Sequence, residues 1–391
     1  MERLVFVGGG LATAKAVERL RQEGYDGRVT VVAAEPHLPY ERPPLSKALL
    51  LGEDVDPTVL APAWWDEHDI DLRIGTRAVA IDRARRRVEV DPGGSVGYDL
   101  LVLATGARPR IPDIAGAEHA LGLRTIEDAQ AIDAVLAGGG PLAVVGAGWI
   151  GLEVAAAARS RGIEVTVVES AELPLERVLG ARLARHLADV HRGHGVGLRL
   201  AATVEEVLVA SDRAVGLRVD GGVVESAHVL VAVGVVPETE LAHAAGLAVD
   251  DGIVVDERFQ TADSRILAIG DVARAWNPTL RDRVRVEHWD EAIRQGRAAA
   301  DVLLGRDVVH DWPPYFFTDQ FEFQMEYVGR AGVGDRLEIR GDVDGGEFIA
   351  YWIGREHRLT AAMNVGIWDV ADRLRDMIGT RVDVDDLTDL R

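Results

Sequence analysis

The sequence contains no cysteine among its 391 residues. Disulfide bonds, thiolate metal sites, cysteine-ligated iron–sulfur clusters and cysteine nucleophiles are therefore excluded. A function in which electrons pass through a protein thiol or a cysteine pair is excluded for the same reason.

Long apolar segments are also scarce. The longest run without a charged residue, Ala134 to Leu152, has 19 residues, which is close to the length needed to cross a bilayer. Between Gly138 and Gly148 it contains five glycines and Pro141, so a strand followed by a turn explains it better than a membrane span. The chain opens on a strand-like stretch at Arg3 and not on a basic and then apolar leader. We therefore expect a cytoplasmic protein without a membrane partner.

Positive charge is in deficit, with 43 basic against 64 acidic residues and a net charge of -21. This balance argues against nucleic acid or an anionic membrane as the main partner. Lys15 and Lys47 are the only lysines, and every other basic residue is an arginine or a histidine. Lys47 is therefore unusual wherever it lies. The length is sufficient for two or three domains, each with its own core.

The stretch LAVVGAGWIG, residues 142–151, predicts a strand that enters a glycine turn and opens a helix. A second strand follows the helix and ends at Glu169. This order is typical of a dinucleotide site. Gly146 would make the turn, Gly148 would let the backbone approach a pyrophosphate, and Gly151 would let helix and strand pack closely. Glu169 would accept hydrogen bonds from the hydroxyls of an adenosine ribose.

The N-terminal residues repeat this pattern. A strand at Leu4–Val7 precedes Gly8 and Gly10, and a second strand leads to Glu35. The third glycine position is occupied by Thr13, whose Cβ should push helix and strand slightly apart or be absorbed by a small local shift. A chance glycine turn in an ordinary βαβ unit is the alternative, and the carboxylate after the second strand favours nucleotide binding.

The similarity between the two halves extends further along the chain, and residues 228–237 resemble residues 100–109. This indicates an internal duplication, with one nucleotide-binding domain inserted into another. From Pro313 the composition becomes aromatic, and strand-like stretches such as Glu347–Ile353 predict a third, α+β domain. The predicted division is a first domain at 1–110 and 234–311, a second at 111–233 and a third at 312–391.

The segment EPHLPYERPPLSK, residues 35–47, contains four prolines and is predicted to be rigid and non-helical. It combines Tyr40, Arg42 and Lys47, a combination unusual for an ordinary surface loop.

Together these motifs resemble the FAD-containing, NADH-dependent ferredoxin reductases, the family of putidaredoxin reductase and rubredoxin reductase, related to apoptosis-inducing factor. The resemblance covers nearly the whole chain. It rests on the combination of VGGGLATAKAVERLR, EPHLPYERPPLSK, ATGARPR, LRTIEDA, GAGWIGLE, ILAIGD, VEHWDEA and PYFFTDQF. It implies an α/β fold with two Rossmann-like dinucleotide-binding domains of glutathione-reductase-like architecture and a C-terminal α+β domain.

The resemblance also implies the residues that contact each cofactor. The FAD-binding positions would be Gly8, Gly10, Thr13, Glu35, Arg42, Lys47, Thr105, Arg124, Asp271 and Trp289. The positions around NADH would be Gly146, Gly148, Ile150, Gly151, Glu153, Glu169 and Gly234. Ser170 and Ala171 follow Glu169, so the sequence places no arginine at that point to bind the 2′-phosphate of NADPH. We therefore expect NADH to be preferred over NADPH.

Three of these residues are the candidate catalytic residues. The resemblance places Lys47 and Glu153 beside the reactive edge of the flavin, where lysine would favour the reduced flavin electrostatically and glutamate would hold and neutralise the lysine. Trp289 would shield the flavin from water. NADH would transfer a hydride to FAD. Because the chain has no cysteine, the electrons would then pass directly to an external acceptor, a [2Fe–2S] ferredoxin.

Ferredoxins are acidic, so the encounter with this acidic chain would need a local basic patch. Arg294, Arg297 and Arg306 follow Trp289 in the sequence and are the candidate partner-binding residues. The alternative is that they are ordinary surface arginines paired with neighbouring carboxylates.

Two other functions are open. The acceptor could be a rubredoxin, a quinone or a small radical such as monodehydroascorbate. The chain could also be a redox-sensing interaction protein similar to apoptosis-inducing factor, with slow turnover and NADH-dependent association.

Overall fold

The structure is a computed structural model that describes residues 2–389. These residues form two compact units. The first comprises residues 2–41, Asp56–Arg108 and Val236–Pro314, and the second comprises Arg42–Val55, Pro109–Val235 and residues 315–389. The segment Arg42–Val55, predicted within the first domain, clusters with the second unit, as does the aromatic C-terminal region. The division into three domains stays a prediction.

The first unit is built on a parallel sheet of five strands. Its spatial order is Ile266–Ala268, Leu100–Leu103, Leu4–Val7, Val29–Val32 and Ile70–Arg73. The central strands are buried along their whole length, as expected for a parallel sheet covered on both faces. Two three-stranded sheets accompany it: Arg77–Asp82, Arg87–Asp91 and Ser95–Gly97 in one, and Ile253–Val255, Ala273–Asn277 and Asp282–Val284 in the other.

The second unit repeats this arrangement. Its parallel sheet has four strands in the spatial order His228–Val231, Leu142–Val145, Val165–Val168 and Gly197–Arg199. An antiparallel sheet of three strands, Val204–Ala210, Arg213–Val219 and Gly222–Glu225, directly precedes His228–Val231 in sequence, just as one precedes Leu100–Leu103 in the first unit. The common strand order agrees with the internal duplication predicted from the sequence. Short strands, Ala107–Pro109 and Val235–Pro237, lie where the chain passes between the units.

The C-terminal part of the second unit is an antiparallel sheet of five strands. Their spatial order is Tyr315–Gln320, Phe323–Gly329, Leu359–Val365, Glu347–Ile353 and Arg336–Asp342. One hydrophobic core contains residues of this sheet, such as Phe323 and Phe348, together with Leu152 and Leu183 from helices of the parallel-sheet region. Within the second unit the two regions therefore share a core, which explains why they cluster together.

The helices are numbered in chain order: α1 Leu11–Gln22, α2 Pro43–Ser46, α3 Pro62–Glu67, α4 Ile126–Gly138, α5 Trp149–Ser160, α6 Glu176–Gly193, α7 Glu240–Ala244, α8 Trp289–Leu303 and α9 Ala371–Met377. Helix α6 is broken at Gly180, where the backbone leaves helical geometry. No helix within residues 2–389 is long and apolar enough to cross a membrane.

Helix α2 corrects one expectation. Residues 35–47 were predicted to be non-helical because of their prolines, but Pro43–Ser46 form one helical turn. The prolines occupy its first positions, where the missing N–H group has no intrahelical partner to lose. The uncharged run 134–152 was predicted as strand and turn, and it contains the strand Leu142–Val145 and the glycine turn before α5.

Candidate active site

The glycine turn of the first unit lies between the strand Leu4–Val7 and helix α1. Gly8 has a φ of +117°, and a Cβ on it would lie 2.0 Å from the carbonyl oxygen of Ala104. Any other residue is therefore excluded at this position by both strain and contact. Gly10 caps α1 in extended conformation, and a Cβ on it would meet no atom within 4 Å. The space beside Gly10 and the free N–H groups of the helix N-terminus suit a pyrophosphate.

Thr13 occupies the third glycine position of this turn and is fully buried. Its hydroxyl donates a hydrogen bond to the carbonyl oxygen of Gly8 at 2.7 Å. The side chain thus ties the helix to the turn, and its polar group is satisfied within the motif. In the equivalent position of the second unit, a Cβ on Gly151 would lie 2.2 Å from the carbonyl oxygen of Gly146. In both turns the helix lies close to the backbone of the turn. The first turn is joined to its helix by the Thr13 hydrogen bond, and in the second the absence of a Cβ on Gly151 permits the contact.

Glu35 follows the second strand of the first unit, as predicted. The hydroxyl of Tyr40 donates a hydrogen bond to its Oε2 at 2.5 Å. Tyr40 is buried, so it holds the carboxylate at the end of the parallel sheet. This is the edge at which parallel α/β sheets bind ligands.

Three further residues predicted to contact FAD lie in the first unit. The Thr105 hydroxyl donates a hydrogen bond to the carbonyl oxygen of Glu238 at 2.6 Å. Asp271 lies in a single 3-10 turn, Gly270–Val272. Trp289 is the first residue of α8 and packs, partly buried, against the core of the first unit.

A buried polar cluster that the sequence did not predict connects α8 to the turn at Asp271. Glu291 and His310, each 1% exposed, are in hydrogen-bond contact, with 2.9 Å between Oε1 and Nε2. Gln295 donates to Glu291 at 2.8 Å and accepts a hydrogen bond from the backbone N–H of Gly270 at 2.7 Å. Trp312 donates to the other carboxylate oxygen at 3.0 Å. Burial raises the pKa of Glu291, but the hydrogen bonds from these partners hold it below its ordinary value.

The glycine turn of the second unit lies between the strand Leu142–Val145 and α5. Gly146 has a φ of +99°, and a Cβ on it would lie 2.5 Å from the carbonyl oxygen of Ala232. A Cβ on Gly148 would approach protein atoms only at 3.8 Å, which leaves space beside the N-terminus of α5. Ile150, in the first turn of α5, is 42% exposed, and Gly234 has a φ of +91°.

Glu169 lies at the end of the strand Val165–Val168, as predicted. Its Oε2 accepts a hydrogen bond from the backbone N–H of Ala147 at 2.8 Å. Its Oε1 accepts from the backbone N–H of Ala171 at 2.9 Å and from the Ser170 hydroxyl at 3.1 Å. The carboxylate is therefore held against the glycine turn, as a ribose-binding residue requires.

Lys47 and Glu153 come together within the second unit. Lys47 Nζ lies 2.6 Å from Glu153 Oε1 and 5.5 Å from the centre of the Phe317 ring. The Glu153 side chain is 5% exposed and that of Lys47 is 20% exposed. Two hydroxyls also donate to the carboxylate: Ser46 at 2.5 Å and Thr318 at 2.6 Å. The sequence did not predict these two partners, although Thr318 belongs to the PYFFTDQF motif.

Arg42 and Arg124 are also brought together in the second unit. Arg42 Nη1 donates a hydrogen bond to the carbonyl oxygen of Arg124. The backbone N–H of Arg124 donates to Asp128 at 2.8 Å, and Thr125 with Asp128 forms the capping box of α4. The start of α4 therefore fixes the backbone that Arg42 contacts.

The three candidate partner-binding arginines differ in their ion pairs. Arg294 pairs with Asp290 on the same helix at 2.7 Å. Arg306 pairs with both Glu23 and Asp301, so two carboxylates already balance its charge. Arg297 is exposed, and residues 2–389 provide it with no ion pair. The alternative considered from the sequence, pairing with neighbouring carboxylates, thus describes Arg294 and Arg306.

The predicted site residues divide between the units. Those of the first unit are Gly8, Gly10, Thr13, Glu35, Thr105, Asp271, Trp289, Arg294, Arg297 and Arg306. Those of the second are Arg42, Lys47, Arg124, Gly146, Gly148, Ile150, Gly151, Glu153, Glu169 and Gly234. Each unit contains one glycine turn with adjacent space and one carboxylate held at the edge of its parallel sheet. The residues present therefore fit two dinucleotides, FAD and NADH.

Comparison with known proteins agrees with this geometry. Residues 2–296 match the family described as pyridine nucleotide-disulphide oxidoreductase, and residues 315–390 match the reductase C-terminal family. The chain is 41% identical to rhodocoxin reductase of Rhodococcus erythropolis over 352 residues, which cover 88% of this chain and 82% of that protein. It is 40% identical over 368 residues to the ferredoxin–NAD(+) reductase component of an anthranilate 1,2-dioxygenase system from Burkholderia cepacia, covering 93% and 90%.

A crystal structure of the covalent putidaredoxin reductase–putidaredoxin complex is similar over 97% of this chain and 94% of the matched chain. The TM-score is 0.93 and the sequence identity is 33%. Together with two Rossmann-like sheets and a C-terminal antiparallel sheet, these matches confirm the predicted fold, the enzyme class and the use of FAD and NAD(H). The chain belongs to the pyridine nucleotide-disulphide oxidoreductase family, among its ferredoxin–NAD(+) reductases.

Proposed function

We propose that this chain is an FAD-dependent reductase that takes electrons from NADH and passes them to a [2Fe–2S] ferredoxin serving a cytochrome P450 or a Rieske oxygenase. The names of its relatives support this function, since one is a ferredoxin–NAD(+) reductase component of a dioxygenase system and another is seen with putidaredoxin. The observation that carries the proposal is the occurrence of two glycine turns, each with its own carboxylate, in a chain without cysteine. Two nucleotides can bind, and no thiol can relay the electrons.

The first glycine turn is proposed to hold FAD and the second to hold NADH. When bound, FAD would accept a hydride from NADH and release electrons singly. FAD would be held by Gly8, Gly10, Thr13, Glu35, Arg42, Lys47, Thr105, Arg124, Asp271 and Trp289. NADH would be held by Gly146, Gly148, Ile150, Gly151, Glu153, Glu169 and Gly234. NADH is preferred over NADPH in this proposal because the residues after Glu169 are Ser170 and Ala171.

Lys47, Glu153 and Trp289 are the residues proposed to act at the flavin. The Lys47 ammonium would stabilise negative charge that develops on the flavin, and Glu153 would keep that ammonium in place and neutralise it beforehand. The 2.6 Å ion pair in a largely buried setting supports this division of roles. Trp289, partly buried at the start of α8, would exclude water from the flavin.

The docking site for ferredoxin is proposed to include Arg294, Arg297 and Arg306. Arg297 is the strongest of the three, because it is exposed and unpaired among residues 2–389. We also propose that the chain consists of an FAD domain, an inserted NADH domain and a C-terminal domain with the boundaries predicted above. It would act in the cytoplasm, where NADH is available as the donor.

The proposal is tested by measuring NADH oxidation in the presence of a panel of acceptors. For ferredoxins, the readout is the reduction of cytochrome c by the reduced ferredoxin. Acceleration by a [2Fe–2S] ferredoxin, and not by rubredoxins or quinones, is expected. If only a rubredoxin or only a quinone accelerates NADH oxidation, the acceptor of this enzyme is that compound and not a ferredoxin. Slow reduction with a persistent charge-transfer band would indicate a redox sensor.

A further inference from the structure

A chain of buried hydrogen bonds extends from Glu153 into the core of the second unit. Thr318 Oγ1 lies 2.6 Å from Glu153 Oε1, Gln320 Nε2 lies 3.0 Å from Thr318 Oγ1, and His191 Nε2 lies 2.9 Å from Gln320 Oε1. Glu153 is 5% exposed, Thr318 is 1% exposed, and Gln320 and His191 are fully buried. No water-exposed group interrupts this path.

The donors in this path all point the same way. A carboxylate only accepts hydrogen bonds, so the single hydrogen of the Thr318 hydroxyl is directed to Glu153. The Thr318 oxygen must then accept from the amide nitrogen of Gln320. The Gln320 oxygen therefore faces the imidazole and requires a proton on His191 Nε2. The path fixes the tautomer of His191 as well as the orientation of the amide.

Three elements of the second unit contribute to the path. Glu153 lies on α5, His191 lies on α6, and Thr318 and Gln320 lie on the strand Tyr315–Gln320. Side chains two positions apart point to the same face of a strand, which is why Thr318 and Gln320 are both buried while Asp319 between them is exposed. The C-terminal sheet is thereby connected to the helix that presents Glu153.

His191 lowers the stability of the fold, and its role in this hydrogen-bonded path gives a reason for its presence. Its Nδ1 is buried and has no hydrogen-bond partner within the described part of the chain, and such a group destabilises a fold. Burial also lowers the pKa of His191, so the ring is neutral and donates only through Nε2. An aliphatic residue would fill the space without this cost, but it could not fix the Gln320 amide.

We propose that Gln320 and His191 are positioning residues that fix the carboxylate of Glu153, and through it the ammonium of Lys47, toward bound FAD. The inference rests on the proposed role of Lys47 at the flavin. It assigns to the strand Tyr315–Gln320 of the C-terminal sheet a part in hydride transfer in addition to any part in folding. With Gln320 replaced, the Thr318 hydroxyl can turn away from Glu153, and the carboxylate retains fewer fixed donors.

The test compares Gln320→Met and His191→Leu, which remove the path, with His191→Gln, which retains an N–H donor. His186→Leu is the matched control, because His186 lies on the same helix and contacts the rings of Phe323 and Phe348 outside the path. Folding of each holoenzyme is checked by its flavin content and thermal unfolding.

The first readout is the NMR spectrum of Lys47 in holoenzyme labelled with 13C-lysine. The chain has two lysines, so Lys15, paired with Glu18 at 3.0 Å, is an internal reference. In Gln320→Met and His191→Leu we expect the two Hε resonances of Lys47 to converge as its order is lost, with Lys15 unchanged. His191→Gln and His186→Leu should retain the wild-type spectrum.

The second readout is the rate of flavin reduction by NADH in a stopped-flow experiment. We expect a decrease of roughly 2- to 10-fold in Gln320→Met, the range that one hydrogen bond is worth, with little change in the Kd for NADH. If folded Gln320→Met has an unchanged Lys47 spectrum, the inference is wrong, whatever the rate. If the spectrum changes in Gln320→Met but not in His191→Leu, Gln320 is a positioning residue and His191 is not. A changed spectrum with an unchanged rate supports the positioning and counts instead against the proposed role of Lys47.

Discussion

The carboxylate of Glu169 is held by the backbone of the glycine turn, because the N–H group of Ala147 donates a hydrogen bond to its Oε2 at 2.8 Å. The two residues lie at the ends of adjacent parallel strands, Leu142–Val145 and Val165–Val168. The turn that would receive a pyrophosphate and the acid that would receive a ribose therefore form one rigid edge.

Replacement of Glu169 by alanine should weaken NADH binding by roughly 10- to 100-fold, the range expected for lost hydrogen bonds to a charged group. FAD should remain bound, since its proposed turn lies in the other unit. The Kd for NADH can be measured by titration of the holoenzyme, and FAD content by absorbance. Loss of FAD in Glu169→Ala with unchanged affinity for NADH would mean that the two turns have been assigned to the wrong cofactors.

Charge reversal of Arg294 and Arg297 should raise the KM for ferredoxin roughly tenfold or more at low ionic strength, because steering by opposite charges depends on salt. A smaller effect is expected for Arg306→Glu, since Glu23 and Asp301 already balance that guanidinium. The double change of Arg85 and Arg86 to Glu is the charge-matched control, because both arginines are exposed in the hairpin turn between the strands Arg77–Asp82 and Arg87–Asp91. An unchanged KM at low salt in the double variant would remove this surface from the docking site.

The buried Glu291–His310 pair should stabilise the first unit more than the partly exposed Asp290–Arg294 pair does. Glu291→Ala leaves His310 and the indole N–H of Trp312 buried without their acceptor, so the free energy of unfolding should fall by about 2–4 kcal/mol, since each buried unsatisfied group costs about 1–3 kcal/mol. Asp290→Ala, which breaks the adjacent pair with Arg294, should cost about 0–1 kcal/mol. Urea denaturation of both variants measures the difference. Equal losses would show that the buried cluster has no special weight.

Retention of FAD should also fall in Glu291→Ala. Gln295 contacts Glu291 and holds the N–H of Gly270, next to the proposed FAD ligand Asp271. Flavin content after dialysis is the measurement. If Glu291→Ala retains all of its FAD, the buried cluster does not determine the geometry of the turn at Asp271.

Burial of neutral His191 should make the protein less stable in mild acid. Its pKa is lower in the folded chain than in the unfolded chain, so below about pH 6.5 the unfolded state binds a proton that the folded state does not. The free energy of unfolding should therefore fall as the pH decreases through this range, by at most about 1.4 kcal/mol per pH unit for one group.

In His191→Gln this decrease should be smaller. His194 and Glu322 are the titratable groups with electrostatic influence on His191. His186, whose pKa is also lowered by burial, should supply part of the remaining slope. Denaturant titrations of wild type and variant at pH 7.5, 6.5 and 5.5 provide the comparison. Equal slopes would contradict the assignment of the acid sensitivity to His191.

Much of the fold was predictable because its signals are local. The strands Leu4–Val7 and Glu347–Ile353 were predicted at their observed bounds, and the glycine turns were recognised because positive φ and close backbone approach require glycine at Gly8 and Gly146. The helix at Pro43–Ser46 was missed, because proline predicts a break unless its place in the first turn is known.

The sequence by itself determined the two dinucleotide turns, the carboxylate after each, and the absence of any thiol, because each depends on neighbouring residues or on composition. Only the tertiary structure decided that Thr318, 165 positions away, contacts Glu153, and that Glu23 and Asp301 balance Arg306. Such contacts depend on how distant elements pack, and side-chain hydrogen bonds form only where packing brings a donor within about 3 Å of an acceptor.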